Sequence, residues 1–547
     1  MSDFPTTVAA GGVSVSVAGE SLVAARDAAL ADAVDNGVPA AIVGKDATIW
    51  GAEATSEASV RLGWLDCVRI SRPLVAEIEA LRDELRSAGV DRVVLAGMGG
   101  SSLAPEVITG TYGADLVVLD TTDPGQVQAA ITDLDRTVLV ASSKSGGTVE
   151  TDSHRRAFEQ AFRDAGIDPA QRIVVVTDAG SPFEKVAREA SYRVFLADPD
   201  VGGRYSALTA FGLVPSGLAG VPIGELLDQA AAVEPSLADD SGNPALALGA
   251  ALGGFGSGGH DKLVIADGGS GSSVPAIRGF GDWAEQLIAE STGKNGHGLL
   301  PVVVEGTDAP GFTDAVDVHR VVLGASAPEP GTAVEGPLGA QFLVWEYATA
   351  VAGRALGINP FDQPNVQESK DNTKAVLEKA GDGPLPEGDP AFVDGAIEVH
   401  VADNELLGGA TTVAGALSAL VTAIPVSGYL AVMAYLDRLH DAEAARLRAL
   451  LASRTTRPVT FGWGPRFLHS TGQYHKGGPQ VGAFLQVTGA HSTDLAVPGQ
   501  PFTFGRLQLA QALGDLQALE SRDRPVMRLH LTDRAAGLAQ LLAAASA

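Results

Sequence analysis

Residues 137–151 read TVLVASSKSGGTVET. The apolar run from Thr137 to Ser142 predicts a buried strand. Ser143 to Thr148 then bring hydroxyls and two glycines, and the segment TDSHRRAFEQAFRDAG has the pattern of a helix. A strand that ends in glycines and hydroxyls before opening a helix is a natural cradle for a phosphate. Glycines let backbone N–H groups approach an anion, and the helix N-terminus adds a partial positive charge. Ser143, Ser145 and Thr148 can each donate a hydrogen bond, and Lys144 supplies a full charge.

The same alternation extends to both sides. RVVLAGMGGSS (92–102) reads as a strand and Gly-rich turn, PEVITGTYG as a helix, DLVVLDTTDP as a strand and QVQAAITDL as a helix. Downstream, RIVVVTDAG, SPFEKVAREA and YRVFLADP repeat strand, helix and strand. Short apolar strands between amphipathic helices predict a doubly wound parallel sheet. After GAALGGFGSGGHDK a second unit opens with KLVIADGGSGS (262–272), whose Gly/Ser turn resembles the first. The expected division is an N-terminal, largely helical accessory region over 1–75, an α/β unit over 76–250, and a second over 260–547 with a C-terminal extension.

Composition narrows the function. The 547 residues carry 38 Lys and Arg against 66 Asp and Glu, a net charge of −28. That balance argues against nucleic acid and anionic membranes as partners, so anion binding must be local. Cys67 is the lone cysteine, which excludes an intrachain disulfide and a cysteine-based zinc site. No apolar run reaches membrane-span length and no signal-like segment opens the chain, so a cytoplasmic location is expected.

Four more stretches carry chemistry. GMGGSS, Gly97 to Ser102, ends the first strand of the unit, where open sheets bind ligands. GGRYS sets Arg204 in a Gly-flanked turn as a fixed cation for developing negative charge. WAEQLIAESTGKNG puts Gln286 and Glu290 on one helix face, with Glu290 a candidate base if burial raises its pKa. NPFDQPNVQESK places Gln363 and Lys370 two helical turns apart, and Lys370 can donate a proton to a sugar oxygen. His469 and His475 in LHSTGQYHKGG have poor metal spacing, so no metal is expected.

Together GGS (99–101), SKSGGTVET, GGRYS, QLIAESTGK and FDQPNVQESK resemble the glucose-6-phosphate isomerase family, in the family's order. DTTDPGQV and LHSTGQYHKGGP are most similar to its actinobacterial branch. The resemblance implies an α/β fold of two doubly wound sugar-isomerase (SIS) domains and a homodimer with shared sites. It implies a cofactor-free aldose–ketose isomerase of glycolysis and gluconeogenesis, acting on glucose 6-phosphate and fructose 6-phosphate. By that resemblance Gly100, Ser101, Ser143, Lys144, Ser145 and Thr148 hold the sugar phosphate. Glu290 moves the proton between C2 and C1 through a cis-enediol, Arg204 stabilises the enediolate, and Gln286 and Gln363 line the site. Lys370 assists ring opening and Glu150 orients a partner group.

The chain departs from the family at the ring-opening histidine, which normally lies between base and lysine. The histidines in that interval are His297, too close to Glu290, and His319, which leads into a strand. His319, a histidine of the LHSTGQYH segment, and Lys370 with water all remain candidates. A dual phosphoglucose/phosphomannose isomerase and a catalytically silent sugar-phosphate sensor are the competing readings.

Overall fold

The computed structural model describes residues 4–267 and 277–547. The Gly/Ser turn after KLVIAD lies outside the described residues. The chain is mixed α/β, and its described strands form three sheets.

The first strands, β1 (Thr7–Ala10) and β2 (Val13–Ala18), make an antiparallel hairpin. The next five are β3 (Arg92–Gly97), β4 (Val117–Leu119), β5 (Thr137–Ser142), β6 (Ile173–Asp178) and β7 (Arg193–Ala197). They form one parallel sheet ordered β4-β3-β5-β6-β7. All six residues of β5 are buried, because helices cover both faces of the sheet. From β3 the chain moves outward to β4 and then returns to the other side as β5. The crevice between the carboxyl ends of β3 and β5 is therefore the topological switch point, where such sheets bind ligands. GMGGSS and SKSGGT both sit there.

Strands β8 (Lys262–Asp267), β9 (Leu300–Val304), β10 (Val318–Leu323) and β11 (Gly331–Glu335) form a second parallel set. The β1–β2 hairpin pairs antiparallel with β11 and completes this sheet, in the order β1-β2-β11-β10-β8-β9. Thus the chain's first strands, assigned from sequence to an accessory region, close an edge of the second sheet. The alternating burial of β2 fits that edge position.

Residues 260–547, expected as one α/β unit with an extension, carry a further sheet. Its strands are β12 (Phe392–Asp394), β13 (Ile397–Val401), β14 (Tyr429–Tyr435), β15 (Val459–Trp463), β16 (Gly482–Gly489) and β17 (Val526–Leu531). The order is β12-β13-β17-β16-β14-β15, with β14 to β17 parallel and the β12–β13 hairpin antiparallel at one edge. The run YLAVMAY in β14 is buried on both faces, so it lacks the alternation that marks a strand.

One continuous core joins the first two sheets through the helices Pro244–Ser257 and Leu338–Ala355. Another face of the third sheet packs on the second sheet through Val264, Leu300, Tyr429 and Phe484. Each such fully buried large apolar side chain contributes about 1.5–3 kcal/mol. This packing brings loops from all three sheets to the β3–β5 crevice.

Candidate active site

The turn Gly99–Ser101 leaves the end of β3. Gly99 has φ of 55°, a left-handed conformation that glycine adopts without strain. A Cβ on Gly99 would lie 2.7 Å from Gln286 Nε2 and 2.9 Å from the His469 carbonyl oxygen. A Cβ on Gly100 would overlap the Gly203 carbonyl. The GGS turn is thus pressed directly against the turn that carries Arg204, and Ser101 is buried there.

The loop after β5 curls on its own hydroxyls. Ser143 Oγ accepts from the Gly146 N–H at 3.1 Å, and Ser145 Oγ from the Gly147 N–H at 3.2 Å. Ser143 Oγ lies 3.4 Å from Thr148 Oγ1. The helix Val149–Asp164 follows with no side chain capping its first N–H groups. Those donors, with the helix dipole, are free of any side-chain cap and have the chemistry to receive an anion. Lys144 is turned elsewhere. Its Nζ pairs with Asp178 at 2.7 Å and donates to the Val201 carbonyl at 2.7 Å. The ammonium of Lys144, expected from sequence to meet the phosphate, is thus paired with a carboxylate at the end of β6.

Ser145, Thr148, Glu150, Lys370, His469 and Gln511 line a cavity of about 750 Å³. Glu150 is buried on the first turn of its helix and accepts from Gln511 Nε2 at 2.6 Å. His469 Nε2 lies 3.0 Å from the same oxygen, Oε1. Burial works to raise the Glu150 pKa, but the charge and hydrogen bond of His469 hold it down to about 2. Lys370, on the exposed side of the helix Val366–Ala380, adds to that lowering.

Behind the cavity lies a tighter cluster. Arg204 is buried and every arm of its guanidinium is held: Nε donates to Ser291 Oγ at 2.7 Å, Nη1 to Gln363 Oε1 at 2.6 Å, and Nη2 to the Pro360 carbonyl at 2.7 Å. Its Nη1 is 3.6 Å from Glu290 Oε2. Gln286 Nε2 donates to that oxygen at 3.3 Å. Burial pushes the Glu290 carboxyl above its ordinary value, against the opposing charges of Arg204 and His469. The arrangement is a partly neutralised buried carboxylate beside a rigid cation, suited to taking up and returning a proton.

The structure thus brings Glu290, Arg204, Gln286 and Gln363 together, and places Glu150, Lys370, Ser145 and Thr148 at the adjoining cavity. It does not bring His319 there. His319 is buried in β10, with Nε2 2.9 Å from Thr332 Oγ1 and its ring edge-on to Phe255 at 5.3 Å. Burial drives its pKa down to about 3. Of the LHSTGQYH histidines, His475 is enclosed against Tyr429, its Nδ1 3.0 Å from the hydroxyl, and His469 faces Glu150. Gln511 escaped the sequence reading because no motif marks it, and Ser291, although inside QLIAESTGK, because nothing local shows that its hydroxyl meets Arg204 from 87 residues away. Among the described residues, no group of three or more His, Cys, Asp or Glu is placed to hold a metal, and no helix is long and apolar enough to cross a membrane.

A family model described as phosphoglucose isomerase matches residues 82–252. A probable glucose-6-phosphate isomerase of Haloarcula marismortui is 28% identical over 420 residues, covering 64% of this chain and 93% of that protein. A glucose-6-phosphate isomerase of a Cyanothece species is 32% identical over 244 residues, 42% of this chain and 45% of that protein. Among solved structures, a glucose-6-phosphate isomerase from Chlamydia trachomatis aligns with TM-score 0.56 at 20% identity, covering 69% of this chain and 91% of that one. A hypothetical protein from Thermus thermophilus aligns with TM-score 0.57 at 22% identity, covering 66% and 99%. The two structural likenesses bear on the fold.

Proposed function

We propose that this chain, a member of the phosphoglucose isomerase family, interconverts glucose 6-phosphate and fructose 6-phosphate by proton transfer between C2 and C1. The observation that carries the reading is the buried Glu290 carboxylate, 3.6 Å from the Arg204 guanidinium and hydrogen-bonded to Gln286, beside an uncapped, hydroxyl-rich loop at the sheet's switch point.

The phosphate sits against Ser143, Ser145 and Thr148 and the first N–H groups of the following helix. Ser101 and the Gly100 backbone close the same end. Anchoring the phosphate remotely lets binding energy position the reacting carbons. Glu290 takes the C2 proton and returns it to C1, while Arg204 offsets the charge that develops on the enediolate oxygens. His469, oriented by Glu150, takes the ring-opening role, and Lys370 faces the same cavity. Burial raises the Glu290 pKa above its ordinary value, which makes the carboxylate a stronger base than an exposed glutamate.

The reaction proposed needs no cofactor, and its setting is the cytoplasm. A homodimer is also proposed, to be tested by sedimentation. The proposal extends to sites shared between the two subunits.

The test couples fructose 6-phosphate conversion to a dehydrogenase. Turnover is expected with no added metal, and Glu290→Gln is expected to abolish it with ligand affinity kept within about tenfold. A Glu290→Gln enzyme of full activity would sink the base assignment, and sugar-phosphate binding without turnover would favour a sensor.

A further inference from the structure

The stretch QLIAESTGK ends in a lysine to which the mechanism above gives no role. Lys294 lies just beyond the helix Phe280–Thr292, and its side chain is 1% exposed. Its Nζ donates to the Asn359 carbonyl at 2.6 Å, the Asp362 carbonyl at 2.5 Å and Asp362 Oδ1 at 2.7 Å. Three ammonium protons meet three acceptors, all on the turn that leads into Gln363. Arg204 grips the same turn through the Pro360 and Asp362 carbonyls, at 2.7 and 3.2 Å. Gln473 closes its far end by accepting from the Asn365 N–H at 2.9 Å. A buried cation is costly unless fully paired, so one enclosed here implies a task at this turn.

We propose that Lys294 is a positioning residue for the isomerisation, its buried ammonium clamping residues 359–363 so that Gln363 and Arg204 stay aligned on Glu290. The inference rests on the isomerase reading. The charged groups that face Lys294 are Asp362 on the turn, Arg204 on the 203–205 turn and Glu290 on its own helix. Burial and Arg204 pull the ammonium down to about 8, while Asp362 and Glu290 hold it up. Above that pH the neutral amine keeps two protons and turns a lone pair toward a carbonyl or carboxylate. The clamp then loosens, and kcat falls on the alkaline side.

Two variants test this with fructose 6-phosphate between about pH 6 and about pH 10. Lys294→Met is expected to lose about 100-fold in kcat with KM within about threefold, and to lose the alkaline limb. Asp362→Asn keeps the ammonium but removes its main support, so its alkaline limb should move to lower pH by about one unit. The Asp362 side chain is 40% exposed, so this second variant threatens folding less. Amide exchange of residues 359–365, followed by mass spectrometry, should speed at least about tenfold in Lys294→Met. Unchanged exchange with an active wild type overturns the clamp, as does an alkaline limb that neither variant moves. An inactive wild type with faster exchange in Lys294→Met would sink the isomerase reading and leave the clamp standing.

Discussion

Gly100→Ala probes how the site is assembled. The Gly99–Ser101 turn lies against the Gly203–Tyr205 turn, and a methyl at residue 100 would overlap the Gly203 carbonyl and sit 3.2 Å from the Arg204 nitrogen. All of these are backbone atoms, so no rotamer change relieves the clash. Ordinary contact begins near 3.4 Å, and the two turns must part by roughly 1.5 Å to reach it. Arg204 rides on the displaced turn, carrying its contacts to Glu290 and Gln363 with it. A misplacement of about 1 Å at reacting groups costs about 100-fold in rate, or about 2.7 kcal/mol. Overpacking takes a further 1–3 kcal/mol, roughly, from stability. The coupled isomerase assay should therefore show kcat down about 100-fold, with KM raised as well, because the turn that moves also carries Gly100 and Ser101 at the phosphate end of the proposed site. Thermal unfolding should shift down by a few degrees. A variant with kcat within about threefold of wild type and an unchanged Tm would refute the contact between the two turns, and with it this account of how Arg204 is aimed.

Glu150→Gln keeps the shape but removes the charge that faces His469. It should lower the rate from cyclic glucose 6-phosphate by about 100-fold, with a smaller loss when open-chain substrate is supplied, as stopped-flow can separate. Glu285 offers a pH test of stability. Burial and the neighbouring Asp282 push its pKa up to about 8, while Ser470 and Arg466 oppose the shift. The native state then binds more protons than the unfolded one between the ordinary carboxyl range and about 8. Stability must fall as pH rises through that window. Glu285→Gln should therefore raise Tm near pH 8.5, roughly, and do little near pH 5, roughly. An equal effect at both pH values would contradict the shift.

The sequence carried the proposed phosphate end of the site more clearly than the proposed reacting end. Strand β5 announces itself because helices bury both its faces, which leaves an unbroken apolar run before the Ser/Gly loop. Arg204, Glu290 and Gln363 fall within short segments whose residue types already state a chemistry. His469 and Gln511 reach Glu150 across 319 and 361 residues, so only the packing of the third sheet could place them. His319 failed for the converse reason: its position between base and lysine is a matter of chain order, while in space it faces Phe255 and Thr332 inside the second sheet. Lys144 stood in the right loop, yet Asp178 from the next strand claims its charge.

That last pairing bears on how an acidic protein can hold a sugar phosphate. With a net charge of −28, the long-range field opposes an approaching anion. The cations around the site are mostly engaged: Lys144 with Asp178 at 2.7 Å, Lys294 with Asp362 at 2.7 Å, and Arg204 with Glu290 at 3.6 Å. On the proposed function, what remains for the phosphate is the uncapped start of the helix Val149–Asp164 and the hydroxyls before it, with Lys370 at the cavity wall. Helix-end N–H groups act at contact distance and fall off within a turn. Recognition is therefore short-ranged and geometric, set by the loop's shape. In the proposed mechanism the full charges are kept for the reacting end, where burial strengthens Glu290 as a base and Arg204 meets the negative charge that the proton transfer creates.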